Sequence, residues 1–166
     1  KNHRQMLSDL SDTRDRRFAL RKMVAERLTT TLSPTIRVSI IQAGDRSGYR
    51  ELLIASLKGS GIQYNRIAER IVESVSPEEL SQLIRRENFK RLAERAGIAV
   101  DQAQKLVGHI QNTDFAFKLE TIDLEDEPLI ELKDGADYKN SAGLSTGQRC
   151  TVILPILLFE SERPLL

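Results

Sequence analysis

Apolar side chains along the first 32 residues recur at helical intervals. Leu7, Leu10, Val24 and Leu28 fall near a seven-residue repeat, and Met6, Phe18, Leu20 and Met23 widen the stripe. The pattern predicts one helix from Lys1 to about Leu32. Arg14, Arg17 and Arg21 occupy other seam positions. That suits an amphipathic surface helix, or the end of a coiled-coil stalk whose Arg stems line the seam with their heads in water. A basic nucleic-acid face is a third reading, because Lys1–Leu32 holds eight Lys/Arg against four Asp/Glu. Pro34 closes the helix, since the residue before a proline is pushed out of the α region. The β-branched positions Ile36, Val38, Ile40 and Ile41 then predict a short strand.

Gly44 to Gly48 reads as a loop, and Tyr49 to Leu57 as a helix stopped by Gly59-Ser60-Gly61. A helix follows from about Tyr64 to Val75, with Ile67, Ile71 and Val75 four apart. Ser76-Pro77-Glu78-Glu79 is a strong helix start: a hydroxyl cap, Pro at the first position and a carboxylate three residues on. It predicts a helix from Pro77 to about Ala96, broken at Gly97, and another from Asp101 to about Ile110. Phe115–Leu124 and Leu129–Lys133 read as two strands of a hairpin joined by an acidic turn at Glu125-Asp126-Glu127-Pro128. A polar loop, Asp134–Gly143, leads to a capped apolar helix from Ser145 to about Phe159. The expected fold is therefore α+β: a long helix, a helical middle, a small sheet containing the 115–133 hairpin, and the final helix. The expected division is residues 1–32 as the N-terminal helix and 33–166 as one lobe.

Composition narrows the function classes. Lys plus Arg number 25 against 24 Asp plus Glu, so no global charge draws the chain to nucleic acid, membrane or acidic ligands. One cysteine, Cys150, excludes a disulfide framework and a multi-cysteine zinc site and suits a reducing compartment. By helical spacing it reads as a small core residue. His3 and His109 lie far apart, which disfavours a histidine metal site. A Ser-His-Asp triad would need one of them, and neither sits in a nucleophile-elbow context. The longest apolar run, Val152–Phe159, is too short to span a bilayer, and no basic-then-apolar leader opens the chain. The expected location is cytoplasmic. The charged opening and the halt after Pro164-Leu165-Leu166, two residues into an apolar strand, lead us to expect more chain on either side.

Leu144-Ser145-Thr146-Gly147-Gln148 carries the most chemistry. A serine is placed to cap a helix, with a glycine inside the first turn. Unpaired amides and the positive end of the helix dipole then face outward, ready for phosphate oxygens. Gly147, lacking a β-carbon, admits close approach of a nucleotide or another backbone. An ordinary capped helix with an incidental glycine has the same letters.

The run Leu-Ser-x-Gly-Gln resembles the signature motif of ABC-type ATPases, especially the chromosome-maintenance and DNA-repair (SMC-like) branch, whose heads sit on coiled-coil stalks. The resemblance is specific over about Tyr138–Leu166 and topological elsewhere. Glu160-Ser161-Glu162-Arg163 would be the loop after the signature helix, and Pro164-Leu165-Leu166 the start of the strand that ends in the Walker B acidic pair. Gln148-Arg149-Cys150-Thr151 and Leu154-Pro155-Ile156-Leu157-Leu158 look most like large bacterial ATPases, some fused to a PHP phosphoesterase domain. The resemblance implies that the signature closes over the γ-phosphate of ATP held by a second head, so that Ser145, Thr146, Gly147 and Gln148 bind nucleotide in trans. Lys139 and Arg149 would be further phosphate contacts. Mg-ATP, a P-loop lobe and a second head would be the cofactor and partners of the whole protein. DNA is a further expected contact, and no metal or catalytic residue is expected in this chain alone.

Two departures matter. Pro155 inside the helix removes a backbone hydrogen bond, which favours the soluble branch over transporters. No Gly-x-x-x-x-Gly-Lys-Ser/Thr occurs, so the 166 residues alone should neither hold Mg-ATP tightly nor hydrolyse it. A competing reading starts from Ala93, Gly97, Val100 and Leu106, which match helix-turn-helix spacing, with the 115–133 hairpin as a wing. That would make a small DNA-binding or interaction module. Charge opposes it: Lys105 is the sole Lys or Arg of the second helix, and Glu120–Asp137 holds eight acidic residues beside Lys133 alone.

Overall fold

A computed structural model describes residues 2–111 and 113–160. The described chain is α+β, with eight helices and a small antiparallel sheet of three strands in the order β1-β2-β3. It divides into two compact units, Lys1–Gly44 with Asp126–Leu166, and Asp45–Glu125.

The first unit holds α1 (His3–Leu32), β1 (Ile36–Asp45), β2 (Glu125–Asp134), β3 (Asp137–Asn140) and the final helix. Its core is small: Ala25 and Leu28 of α1 meet Ile36 and Val38 of β1, Leu132 of β2, Leu144 and Val152. The Thr29 hydroxyl ties α1 to β1, accepting from the Val38 N–H at 2.7 Å and donating to the Val38 carbonyl at 2.8 Å. The Arg21 guanidinium donates to Asp126 at 2.9 Å, and the same carboxylate accepts the Ala43 N–H at 3.1 Å. Asp126 is 5% exposed, so this ion pair fastens the far end of the β1–β2 ladder to the helix. Gly44 is obligatory there, because a β-carbon would fall 2.6 Å from that of Glu127. Of the expected seam residues, Leu28 is buried, whereas Val24 is exposed and Ala25 takes the core position.

The second unit is helical: α2 (Ser47–Leu57), α3 (Tyr64–Ser74), α4 (Pro77–Arg85), α5 (Phe89–Ala96), α6 (Val100–Ile110) and α7 (Phe115–Thr121). They enclose a continuous core around Leu53, Ile71, Leu80, Leu92, Leu106 and Phe115. The predicted cap at Ser76 is present, its Oγ accepting the Glu79 N–H at 3.2 Å with Pro77 behind it. The expected Pro77–Ala96 helix is two helices. Glu87 sits at φ +51°, and Asn88 restarts the chain by accepting the Arg91 N–H at 3.1 Å.

The structure overturns the 115–133 hairpin. Phe115, Phe117 and Leu119 alternate like a strand, but Phe115, Ala116 and Leu119 are the buried set and Phe117 is 58% exposed. That is one face of a helix, and docking on α4 selects it. Ser81, wholly buried, donates to the Ala116 carbonyl at 3.3 Å, and Arg85 reaches Glu120 at 2.9 Å while covering the Phe117 ring. The expected acidic turn, Glu125–Pro128, is the first half of β2. Pro128 is tolerated because β3 pairs only with Glu131–Asp134, leaving β2 unpaired on that side at the proline. The true hairpin is β2–β3, turning through Gly135 at φ +64° inside what reads from sequence as a loop. The expected loop and strand at 161–166 lie outside the described residues. No helix among the described residues is long and apolar enough to cross a membrane.

Candidate functional site at the start of the final helix

After β3 the chain makes one 3-10 turn at Ser141–Gly143. Asn140 starts it, its side-chain oxygen accepting the Ala142 N–H at 2.8 Å. Leu144 is extended and 5% exposed, so it anchors the segment in the small core. The helix α8 (Thr146–Glu160) begins immediately afterwards.

Ser145 and Gln148 form a reciprocal cap. The Ser145 Oγ accepts the Gln148 N–H at 3.3 Å, and the Gln148 Oε1 accepts the Ser145 N–H at 3.1 Å. The Ser145 hydroxyl also donates to that Oε1 at 3.1 Å. The first intrahelical bond runs from Arg149 N–H to the Ser145 carbonyl at 2.9 Å. The amides of Thr146 and Gly147 precede it and have no carbonyl to meet within the helix. All residues from Ser145 to Cys150 are exposed, and a β-carbon on Gly147 would meet nothing within 4 Å. The helix start is open to solvent rather than packed against its own chain.

Arg149 turns back over the loop. Its Nε donates to the Leu144 carbonyl at 3.1 Å and its Nη2 to the Ala142 carbonyl at 3.1 Å, so it braces the 3-10 turn against the helix. Lys139 lies on β3, where Asp134 accepts its ammonium across the hairpin and raises the lysine pKa above its ordinary value. The structure thus gathers Ser145, Thr146, Gly147, Gln148 and Arg149 in one turn and engages Lys139 on the neighbouring hairpin. Cys150, expected in the core, is exposed. Val152, two residues on, is the wholly buried residue of the helix. Sequence reasoning missed Asn140, although Asn before Ser-x-Gly is a recognisable turn signal.

Beyond Val152 the helix remains largely uncovered, with Ile153, Leu154, Leu157 and Leu158 each about half exposed. Among the described residues no three His, Cys, Asp or Glu side chains group as metal ligands. The competing motif is present only in part. α5 and α6 are joined by Gly97-Ile98-Ala99, with Gly97 at φ +61°, and Ala93 and Leu106 are buried. Val100 is 48% exposed, and α7 follows where the wing was expected. No protein-family model, no curated protein and no solved structure matches the chain.

Proposed function

We propose that the chain is the signature-bearing lobe of an ABC/SMC-type ATPase head, in which the start of α8 grips the γ-phosphate of ATP presented by a second head. The observation that carries this reading is the exposed, reciprocally capped turn Ser145–Gln148 with unpaired amides at Thr146 and Gly147. A phosphate oxygen placed there accepts from both amides and meets the positive end of the helix dipole. The Ser145 hydroxyl donates to Gln148 and can turn to a phosphate oxygen instead, releasing the Gln148 side chain to reach a ribose or a neighbouring chain. Arg149 contributes by fixing the loop, through the Ala142 and Leu144 carbonyls. Gly147 leaves the space a second backbone needs. Mg-ATP, a P-loop lobe and the partner head complete the site in this reading. ATP binding then drives head dimerisation in DNA repair or a related process, and the long α1 is the end of the stalk.

The test is ATP hydrolysis by the protein that joins this lobe to its P-loop lobe. Ser145→Arg fills the phosphate position with a bulky side chain, so hydrolysis and ATP-dependent dimerisation should be lost while nucleotide binding to the P-loop persists. Normal hydrolysis by that variant would sink the assignment. The α5–Gly97–α6 corner supports a second reading, a DNA-binding or interaction module reading duplex through α6. Salt-dependent duplex binding weakened by Lys105→Glu and unaffected by Gly147→Arg would favour it.

A further inference from the structure

A different feature, in the helical unit and independent of the signature, faces solvent with an unusual set of donors. A cavity of about 220 Å³ lies between α3 and the α5–α6 corner, lined by Gln63, Arg66, Arg70, Gly97, Ala99 and Gln102 above the apolar floor of Ile67 and Ile98. Arg66 and Arg70 stand one helical turn apart on α3, and no carboxylate lines the cavity. Two guanidinium groups at this spacing repel each other unless something anionic lies between them. In this unit Arg50 pairs with Glu69, Arg85 with Glu120, Arg91 with Glu94 and Arg95 with Glu79. Arg66 has no such partner among the described residues. Arg70 gives one N–H to the Gly97 carbonyl, which holds its planar head at the cavity wall and leaves its other donors open. Gln102 accepts the Ala99 N–H at 3.3 Å through Oε1, so its amide NH₂ is the half left to donate. Gln63 brings an amide that donates or accepts, and the other open polar groups are donors, two of them charged.

We propose that this cavity binds the phosphoryl group of a small phosphorylated ligand, with Arg66 and Arg70 as its charged clamp. Guanidinium groups suit phosphate oxygens because they donate in pairs from a fixed plane. The volume falls below the ~300–1,000 Å³ of pockets that hold drug-sized molecules, so it fits a phosphate or pyrophosphate head rather than a whole nucleotide. A concave cavity also favours a free phosphoryl end over the convex backbone of a duplex.

Titration of the ¹⁵N-labelled chain with inorganic phosphate and pyrophosphate tests this directly, with short duplex DNA as a separate arm. Saturable shifts are expected at the Gly97–Gln102 amides and the Arg66 and Arg70 side-chain N–H groups, with pyrophosphate the tighter probe. Arg66→Gln should weaken pyrophosphate by about tenfold or more, the worth of a charge-assisted pair. Arg86→Gln, which removes an exposed arginine outside the cavity, should leave the affinity unchanged, and the spectrum of each variant reports its own folding. Absence of saturation, or equal loss in both variants, overturns the site. Tighter binding of duplex DNA to the same residues overturns the small-ligand assignment and points to a nucleic-acid backbone. Either result leaves the Ser145 test untouched, because that test reads hydrolysis at a different unit.

Discussion

Two single positions support the small sheet, Gly44 by the spacing of β1 and β2 and Arg21 by its tie to the long helix, and each fails in its own way. Gly44 is required for space: an added β-carbon meets the β-carbon of Glu127 at 2.6 Å, and that atom is fixed to the neighbouring strand. Gly44→Ala must push β1 and β2 apart, a strain of about 1–3 kcal/mol. Arg21 is required for charge. Removing it leaves the buried Asp126 carboxylate with the Ala43 amide and without its cation. Arg21→Ala should cost about 1–3 kcal/mol, the range for a buried acceptor left short of a partner. Urea unfolding of both variants checks the pair. Arg21→Lys should recover part of the loss, whereas for Gly44 no larger side chain should. Neither role is legible in the sequence, where Arg21 reads as a seam residue of a stalk and Gly44 as the start of a loop.

At the level of elements, the serine caps were readable, whereas the asparagine caps at Asn88 and Asn140 and the pairings were not. Ser76-Pro77 and Ser145 announce their helices because the signal is local, a hydroxyl and the residues within one turn of it. Phe115–Thr121 misleads because its alternation of Phe115, Phe117 and Leu119 suits a strand. Only the face of α4, with Ser81 and Arg85, decides that Ala116 goes inward. Glu125–Pro128 reads as a turn because the buried carboxylate among its acids, Asp126, finds its cation 105 positions away, at Arg21. The Leu144–Gln148 segment was legible as a capped turn, while Arg149 bracing Ala142 and Leu144 was not, since a guanidinium on a helix start offers no sequence clue to which carbonyls it meets. The reciprocal cap carries a stability prediction separate from nucleotide. Ser145→Ala should lose about 1 kcal/mol, whereas Ser145→Asp, an equally good cap, should stay close to wild type. Thermal melts of the two variants distinguish a capping role from a purely ligand-facing serine. The α2 start adds a pH dependence. The Asp45 carboxylate accepts the Ser47 N–H at 2.9 Å, and its hydrogen bonds to Ser47 hold its pKa below the ordinary carboxylate value. A depressed folded pKa means the contribution is present above the unfolded pKa and lost as pH falls through the folded one. Wild type should therefore melt above Asp45→Asn at neutral pH, and the gap should close as pH falls below the ordinary carboxylate range.

The two units differ in how the chain builds them. Asp45–Glu125 is one uninterrupted segment, while the other unit joins Lys1–Gly44 to Asp126–Leu166 across that insertion. Their cores differ as well. The helical unit buries Leu53, Leu57, Ile71, Leu80, Leu92 and Leu106 almost completely, all from elements close in sequence. The sheet unit has a core of Ala25, Leu28, Ile36, Val38, Leu132, Leu144 and Val152, drawn from both ends of the chain. It also leaves Met6, Leu20 and Met23 of α1 and Ile153, Leu154, Leu157 and Leu158 of α8 exposed. Local contacts close small loops at low entropic cost, and sparse distant ones do not. Residues 45–125 expressed alone should thus fold to a dispersed spectrum and melt cooperatively. Leu53→Ala, in the middle of that core, should lower the melt by the equivalent of about 2–5 kcal/mol. In the whole chain, amide exchange should be slower across α3, α4 and α6 than across α1 and the sheet, because the smaller core opens first. A melt of 45–125 that is broad and indifferent to Leu53→Ala would show that the helical unit borrows its order from the sheet unit. The contiguous apolar core argues that it does not.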